Sequence, residues 1–293
     1  MLDPALLTSI GDLEMIARVT VDGTLSGLHR SPFHGYSAEF AQYRHYRPGD
    51  DLKYVDWKLF ARTDRVYTKQ YRESTNMSAQ IVVDASASMA YRGSAAVSKL
   101  EYARVLAAAL AYLISRQGDG IGLVTYGETL REYIPSRTGR LHLRRVLIAL
   151  SKVAASGETG SASAMQRAID LLKRRGVLIL VSDLYDENDR MEAQLRRAIR
   201  IGHELAVFHL LTREELEFPF AGDVELEDLE TGRRVLTSGE ISADYRRDFG
   251  DFLVGWQRRC AGLGIDYTRV TTDALLDTAL RGYLLQRVGG AST

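Results

Sequence analysis

The chain has 293 residues, 45% of them apolar and 26% charged. These are globular proportions, and they exclude a disordered, collagen-like or low-complexity chain. Its 38 Lys and Arg balance 38 Asp and Glu, which argues against a globally basic nucleic-acid binder.

The first residues, Met1-Leu2-Asp3-Pro4, lack the basic and apolar regions of a signal peptide. The longest nearly apolar run, Ala103 to Ile114, carries Arg104 and is too short to span a bilayer. A soluble, cytoplasmic protein is the expectation. Leu6, Leu7, Ile10, Leu13 and Ile16 recur at helical spacing and predict an amphipathic helix over 4–19. Gly23 to Asp51, rich in Gly, His, Tyr and Arg, reads as an ordered loop region. Val66 to Arg72 alternates like a strand with one wet face.

From residue 79 onward, short apolar runs alternate with helix-period segments. Strands are predicted over 79–84, 120–126, 177–183, 204–211 and 265–270, with 129–135 returning beside 120–126 through a turn at Gly127. Helices are predicted over 98–117, 141–153, 162–175, 189–201, 241–262 and 273–287. Buried strands with helices between them mean an α/β fold: a doubly wound, mostly parallel sheet covered on both faces. The Ala/Leu face of 98–117 then packs on that sheet. Residues 1–78 form an amino-terminal helix, loop and β region, and 79–289 the α/β domain. The stretch 212–240 carries nine acids and three bases, with Glu230-Thr231-Gly232 as the turn of a surface hairpin. It reads as a solvated acidic insertion, or more sharply as a docking surface for a basic partner.

Ligands of a doubly wound sheet bind at the carboxyl ends of the strands. Asp84-Ala85-Ser86-Ala87-Ser88, Gly157-Glu158-Thr159-Gly160 and Ser182-Asp183 all fall at that edge. Asp84, Ser86, Ser88, Thr159 and Asp183 are hard oxygen donors, suited to Mg²⁺, Mn²⁺ or Ca²⁺ rather than zinc. Each piece alone is also what a helix cap or turn looks like; their joint occurrence at one edge is the signal.

The pattern Asp84-x-Ser86-x-Ser88, then Thr159, then Asp183 resembles the metal-ion-dependent adhesion site of von Willebrand factor A domains. Leu184 stands where many such domains have glycine. Upstream, Gly27 to Gly35, Glu39-Phe40, Tyr46 to Asp51 and Asp56 to Thr63 resemble the bacterial family known as domain of unknown function 58. In that family the block precedes a von Willebrand A-like domain. The resemblance implies a non-enzymatic, metal-dependent adaptor or co-chaperone that works with a MoxR-type AAA+ ATPase or its client. A partner's carboxylate would complete the coordination of Mg²⁺.

Two other readings stand beside it. Asp84 and Asp183 could clamp a phosphate in a metal-dependent phosphohydrolase. Yet the position two residues after Asp84 is Ser86 rather than a second acid, and no catalytic elbow, zinc-protease pair or phosphate-binding loop occurs. Residues 29–75 hold nine Arg or Lys against six acids, interleaved with aromatics, which could grip single-stranded nucleic acid. Mixed charges favour internal pairing instead. His29, His34 and His45 read as loop hydrogen bonders. The single cysteine, Cys260, allows no intrachain disulfide and reads as a buried thiol, although Arg258 and Arg259 could activate it.

Overall fold

The computed structural model describes residues 12–26, 38–47, 55–73, 77–157, 161–172, 175–185, 190–238 and 241–290. The chain divides into two compact units: Phe33–Met77, and Met1–Pro32 together with Ser78–Thr293.

In the smaller unit, β1 (Ala38–His45) pairs antiparallel with β2 (Tyr67–Glu73), and α2 (Trp57–Thr63) lies between them in sequence. Asp56 starts α2 by accepting the Leu59 amide at 3.0 Å. Asp64 ends it with a left-handed φ of 53°. Strand β1 lies inside the segment expected to be loop. Its register shifts between Phe40 and Gln42, and this bulge breaks the two-residue period by which a strand is recognised.

The larger unit is built on a six-stranded sheet in the order β10-β7-β6-β3-β4-β5. Its strands are β3 (Ser78–Asp84), β4 (Gly120–Tyr126), β5 (Leu130–Arg137), β6 (Val177–Ser182), β7 (Glu204–Leu211) and β10 (Asp266–Thr271). All pairings are parallel except that of the edge strand β5 with β4. β4 and β6 are buried along their whole length, as both-face coverage requires.

Helix α3 (Lys99–Arg116) crosses one face, flanked by α1 (Leu13–Ser26), α4 (Arg140–Ser151) and α9 (Leu276–Gly290). The other face carries α5 (Ser161–Leu171), α6 (Arg190–Arg200) and α8 (Ser242–Gly262). There Val82, Val124, Leu178, Leu180 and Val207 meet Met165, Leu195 and Trp256 in one apolar cluster. Gly122 on β4 is obligatory. A Cβ there would stand 2.6 Å from the Ile134 carbonyl and 2.7 Å from the Ser136 nitrogen.

Helix α1 runs to Ser26, beyond the predicted end at 19; Leu6, Leu7 and Ile10 lie outside the described residues. Its β-branched stretch Val19-Thr20-Val21 is poor helix former, but Ile16, Ala17 and Val21 are buried, and packing overrides the propensity. Thr20 and Thr24 return their hydroxyls to the Ile16 and Thr20 carbonyls at 2.8 and 2.9 Å.

The 212–240 stretch is less solvated than its charge suggests. Thr212 and Glu215 form a capping box at the start of α7 (Arg213–Glu217): the Thr212 amide donates to Glu215 Oε2 at 2.6 Å. Glu214 is buried. The expected hairpin follows as β8 (Asp223–Glu227) and β9 (Arg234–Ser238). Among the described residues, no helix is long and apolar enough to cross a membrane.

Candidate functional site

β3 is the first strand of the large sheet. The chain moves from it to β4 on one side, then returns to β6 on the other. This reversal makes a topological switch point, where the strand ends splay into a crevice. Asp84 ends β3, Tyr126 ends β4, and Ser182 ends β6. The three meet there: Asp84 Oδ2 accepts the Ser182 hydroxyl at 2.7 Å and the Tyr126 hydroxyl at 3.2 Å. Asp84 Oδ1 accepts the Ser86 amide at 2.9 Å.

The Asp84 side chain thus meets only neutral donors. It is 1% exposed, and burial, then the negative charge of Asp183, pushes its carboxyl up to about 6. Ser86 and Ser88 follow on the turn out of β3, with their hydroxyl oxygens 3.0 Å apart. The loop after α4 comes alongside: the Ala87 amide donates to the Gly157 carbonyl at 3.0 Å, and the Ser156 amide to the Ala85 carbonyl at 3.1 Å. Of the five predicted ligands, Asp84, Ser86, Ser88 and Asp183 stand at this edge, whereas Thr159 lies outside the described residues. The same holds for His29 and His34. His45 packs at a tilt against Tyr67, with ring centroids 4.5 Å apart.

The hydroxyl pair fits a hard cation. Neighbouring ligands on an octahedron of roughly 2.0–2.1 Å radius stand about 2.8–3.0 Å apart, the spacing of Ser86 Oγ and Ser88 Oγ. A carboxylate without a positive partner is the other element such an ion needs. Among the described residues, no group of three or more His, Cys, Asp and Glu could by itself hold a metal. A cation held here would depend on the hydroxyls.

Sequence reasoning missed the cation already present. Lys99, the first residue of α3, is fully buried and bridges Asp183 Oδ2 at 2.7 Å and Glu215 Oε1 at 2.6 Å. Its ammonium stands 4.9 Å from the centroid of the Tyr185 ring. Burial pulls that ammonium down, but the charges of Asp183 and Glu215 outweigh burial and hold it above its ordinary range. The legible signal was Ser98-x-x-Glu101, a capping box that fixes where α3 starts and so which lysine faces the strand ends. His209 on β7 was also missed. It is fully buried, its Nδ1 lies 2.6 Å from the Tyr267 hydroxyl, and burial pulls its imidazole down to about 4.

Leu184 adopts φ 56°. The position demands the left-handed conformation in which glycine is easy, and leucine holds it because its side chain is buried, at 2% exposure. Cys260 is buried, and burial raises its thiol to about 12 despite Arg259. It is a packing residue, not an activated thiol.

An uncharacterized protein of Mycobacterium tuberculosis strain H37Rv is 33% identical over 253 residues, spanning 84% of this chain and 77% of its own. The uncharacterized protein YeaD of Bacillus subtilis is 27% identical over 118 residues, 40% of this chain and 27% of its own. Among solved structures, the conserved hypothetical protein BatB from Bacteroides thetaiotaomicron aligns over 72% of this chain and 98% of its own, with a TM-score of 0.47 and 17% identity. Residues 42–253 match the family described as "Protein of unknown function DUF58", and the chain belongs to that family.

Proposed function

We propose that this chain is a non-enzymatic, metal-dependent protein–protein interaction module. The large unit is read as a von Willebrand A-like domain. Asp84, Ser86, Ser88, Thr159 and Asp183 are the residues that would hold Mg²⁺, or Mn²⁺ or Ca²⁺ in its place. Asp84 carries this reading: a buried carboxylate at the switch point, met only by neutral donors and facing a second carboxylate. Such a group either takes up a proton or is met by a cation.

The Ser182 and Tyr126 hydroxyls hold the Asp84 carboxylate in one orientation. Lys99 offsets one of the two charges of Asp183 and Glu215, which weakens their repulsion of an incoming carboxylate. When bound, the ion supplies the positive charge that a partner's Asp or Glu would complete. A MoxR-type AAA+ ATPase or its client is the proposed partner. That part rests on the resemblance of the 27–63 block and the strand-end motif, with the chain acting as adaptor or co-chaperone.

Thermal unfolding in EDTA, Mg²⁺, Mn²⁺ and Ca²⁺, for wild type and Asp84→Ala, tests the ion. A ligand that binds only the folded chain stabilises it by about 2.7 kcal/mol at a hundredfold excess over its dissociation constant. We expect a cation-dependent rise in melting temperature in wild type and none in Asp84→Ala. No shift with any cation in wild type would sink the ion reading.

A further inference from the structure

A cavity of about 520 Å³ opens beside the strand-end site and shares Ser88 and Lys99 with it. Tyr91, Tyr185, Phe218, Phe220 and Tyr245 line it. Phe218 packs 4.6 Å from Tyr245 and 5.0 Å from Phe220, and Tyr245 stacks on Phe249 at 5.5 Å. Through Phe249, the rings of Tyr185, Phe218, Phe220 and Tyr245 form one connected surface. β8 also lines it, with Val224 and Leu226 half-buried and Glu225 and Glu227 exposed.

Four carboxylates line the cavity, on Glu214, Glu215, Glu225 and Glu227, against one ammonium, on Lys99. The Lys99 charge is spent on Asp183 and Glu215. Arg234 pairs with Glu227 at 3.1 Å and with Glu225 at 3.8 Å. Glu214 is the carboxylate left over. It is 8% exposed. Its Oε1 accepts the Ser94 amide at 2.8 Å and the Ser94 hydroxyl, and its Oε2 has no hydrogen-bond partner. Burial raises Glu214, but the Ser94 bonds outweigh burial and keep it below the usual carboxylate range.

We propose that this cavity docks an arginine side chain of a partner protein. The proposal deepens the interaction reading above and rests on it. A guanidinium is planar and weakly hydrated, stacks on aromatic faces, and bonds carboxylates with several N–H groups at once. Its alkyl stem matches the apolar side offered by Val224, Leu226 and Leu229. An acidic side chain would meet the surplus negative charge, and an apolar one would leave Glu214 buried without a counter-charge. The volume is that of a site for a small molecule, so it holds the arginine side chain while the flanking residues of the partner stay outside.

The full chain is probed with short synthetic peptides bearing a central Arg, Leu or Glu, in Mg²⁺ and in EDTA. We expect the arginine peptides to be retained about tenfold more strongly than the others, the factor for one charge-assisted hydrogen bond. Glu214→Gln, which keeps the side chain's size, should remove that preference, as should Leu226→Arg, which places a guanidinium of the chain itself at the cavity. Circular dichroism checks that both variants fold. Preference for Leu or Glu, or an arginine preference that survives in a folded Glu214→Gln, overturns the proposal. An arginine preference without any cation effect on melting leaves the cavity standing and the ion reading fallen. Cation stabilisation without arginine preference does the reverse.

Discussion

Lys99 holds two carboxylates on one buried ammonium, and removing it strands both. Lys99→Met should cost about 3–5 kcal/mol in denaturant unfolding, the usual penalty for breaking a buried pair. Adding Glu215→Gln should recover part of that loss; strict additivity of the two substitutions would show that they do not share one network. Two other buried groups set the pH response. His209 has a folded value near 4, below its ordinary 6.5. The unfolded chain therefore takes up a proton that the folded chain refuses, and this stability is full above about pH 6.5 and is lost as the pH falls toward 4. Asp84 runs the other way. Its folded value near 6 lies above 3.8, so the fold gains as the pH falls from 6 toward 4. Each shift amounts to about 3 kcal/mol, and in wild type they oppose one another. In EDTA, Asp84→Asn should be more stable than wild type at neutral pH and lose more stability on acidification. Equal pH slopes in urea unfolding would refute the opposition.

At the scale of elements, the periodic stretches were legible, and the functional surroundings of the site were not. Strands 79–84, 120–126 and 204–211 emerge as read, because continuous apolar runs bounded by turns leave few alternatives. β1 escaped because its bulge spoils alternation. The acids of 212–240 looked solvated because composition cannot tell a capping Glu215 from a surface one. The Thr212-x-x-Glu215 spacing could have. Tyr245, Phe249 and Phe252 were equally readable as an aromatic stripe at helical spacing, but not as the wall they build with Tyr185 and Phe218, since those partners lie in distant segments. Local backbone demands allow two predictions here. Asp64→Gly relieves a left-handed, exposed helix terminus and should stabilise the smaller unit by about 0.5–1 kcal/mol, checked by hydrogen exchange of α2. Gly122→Ala drives a Cβ into the backbone of β5 and should cost about 1–3 kcal/mol or more, measured by the midpoint of chemical unfolding.

For the whole molecule, the topology did what the alternation of strands and helices implied. It brought Asp84, Ser86, Ser88 and Asp183 to one crevice, and only the order β10-β7-β6-β3-β4-β5 shows that this crevice is a switch point. Sequence spacing could name the oxygen donors. It could not pair Lys99 with Asp183, 84 positions away, because that contact depends on how α3 lies across the sheet. The chain path adds something else. Helix α1 belongs with the sheet, yet the whole of Phe33–Met77 separates it from β3. The smaller unit is therefore an insertion within the larger one, and the larger unit is assembled from two stretches of chain. Ile16, Ala17 and Val21 of α1 are buried there, and the neighbouring α3 is apolar on nearly every side. A protein begun at Ser78 would bare that surface and self-associate, while the separate 1–32 peptide, supplied in trans, should bind back and suppress that association. Protein splitting, rather than truncation, is the route to isolating the sheet unit.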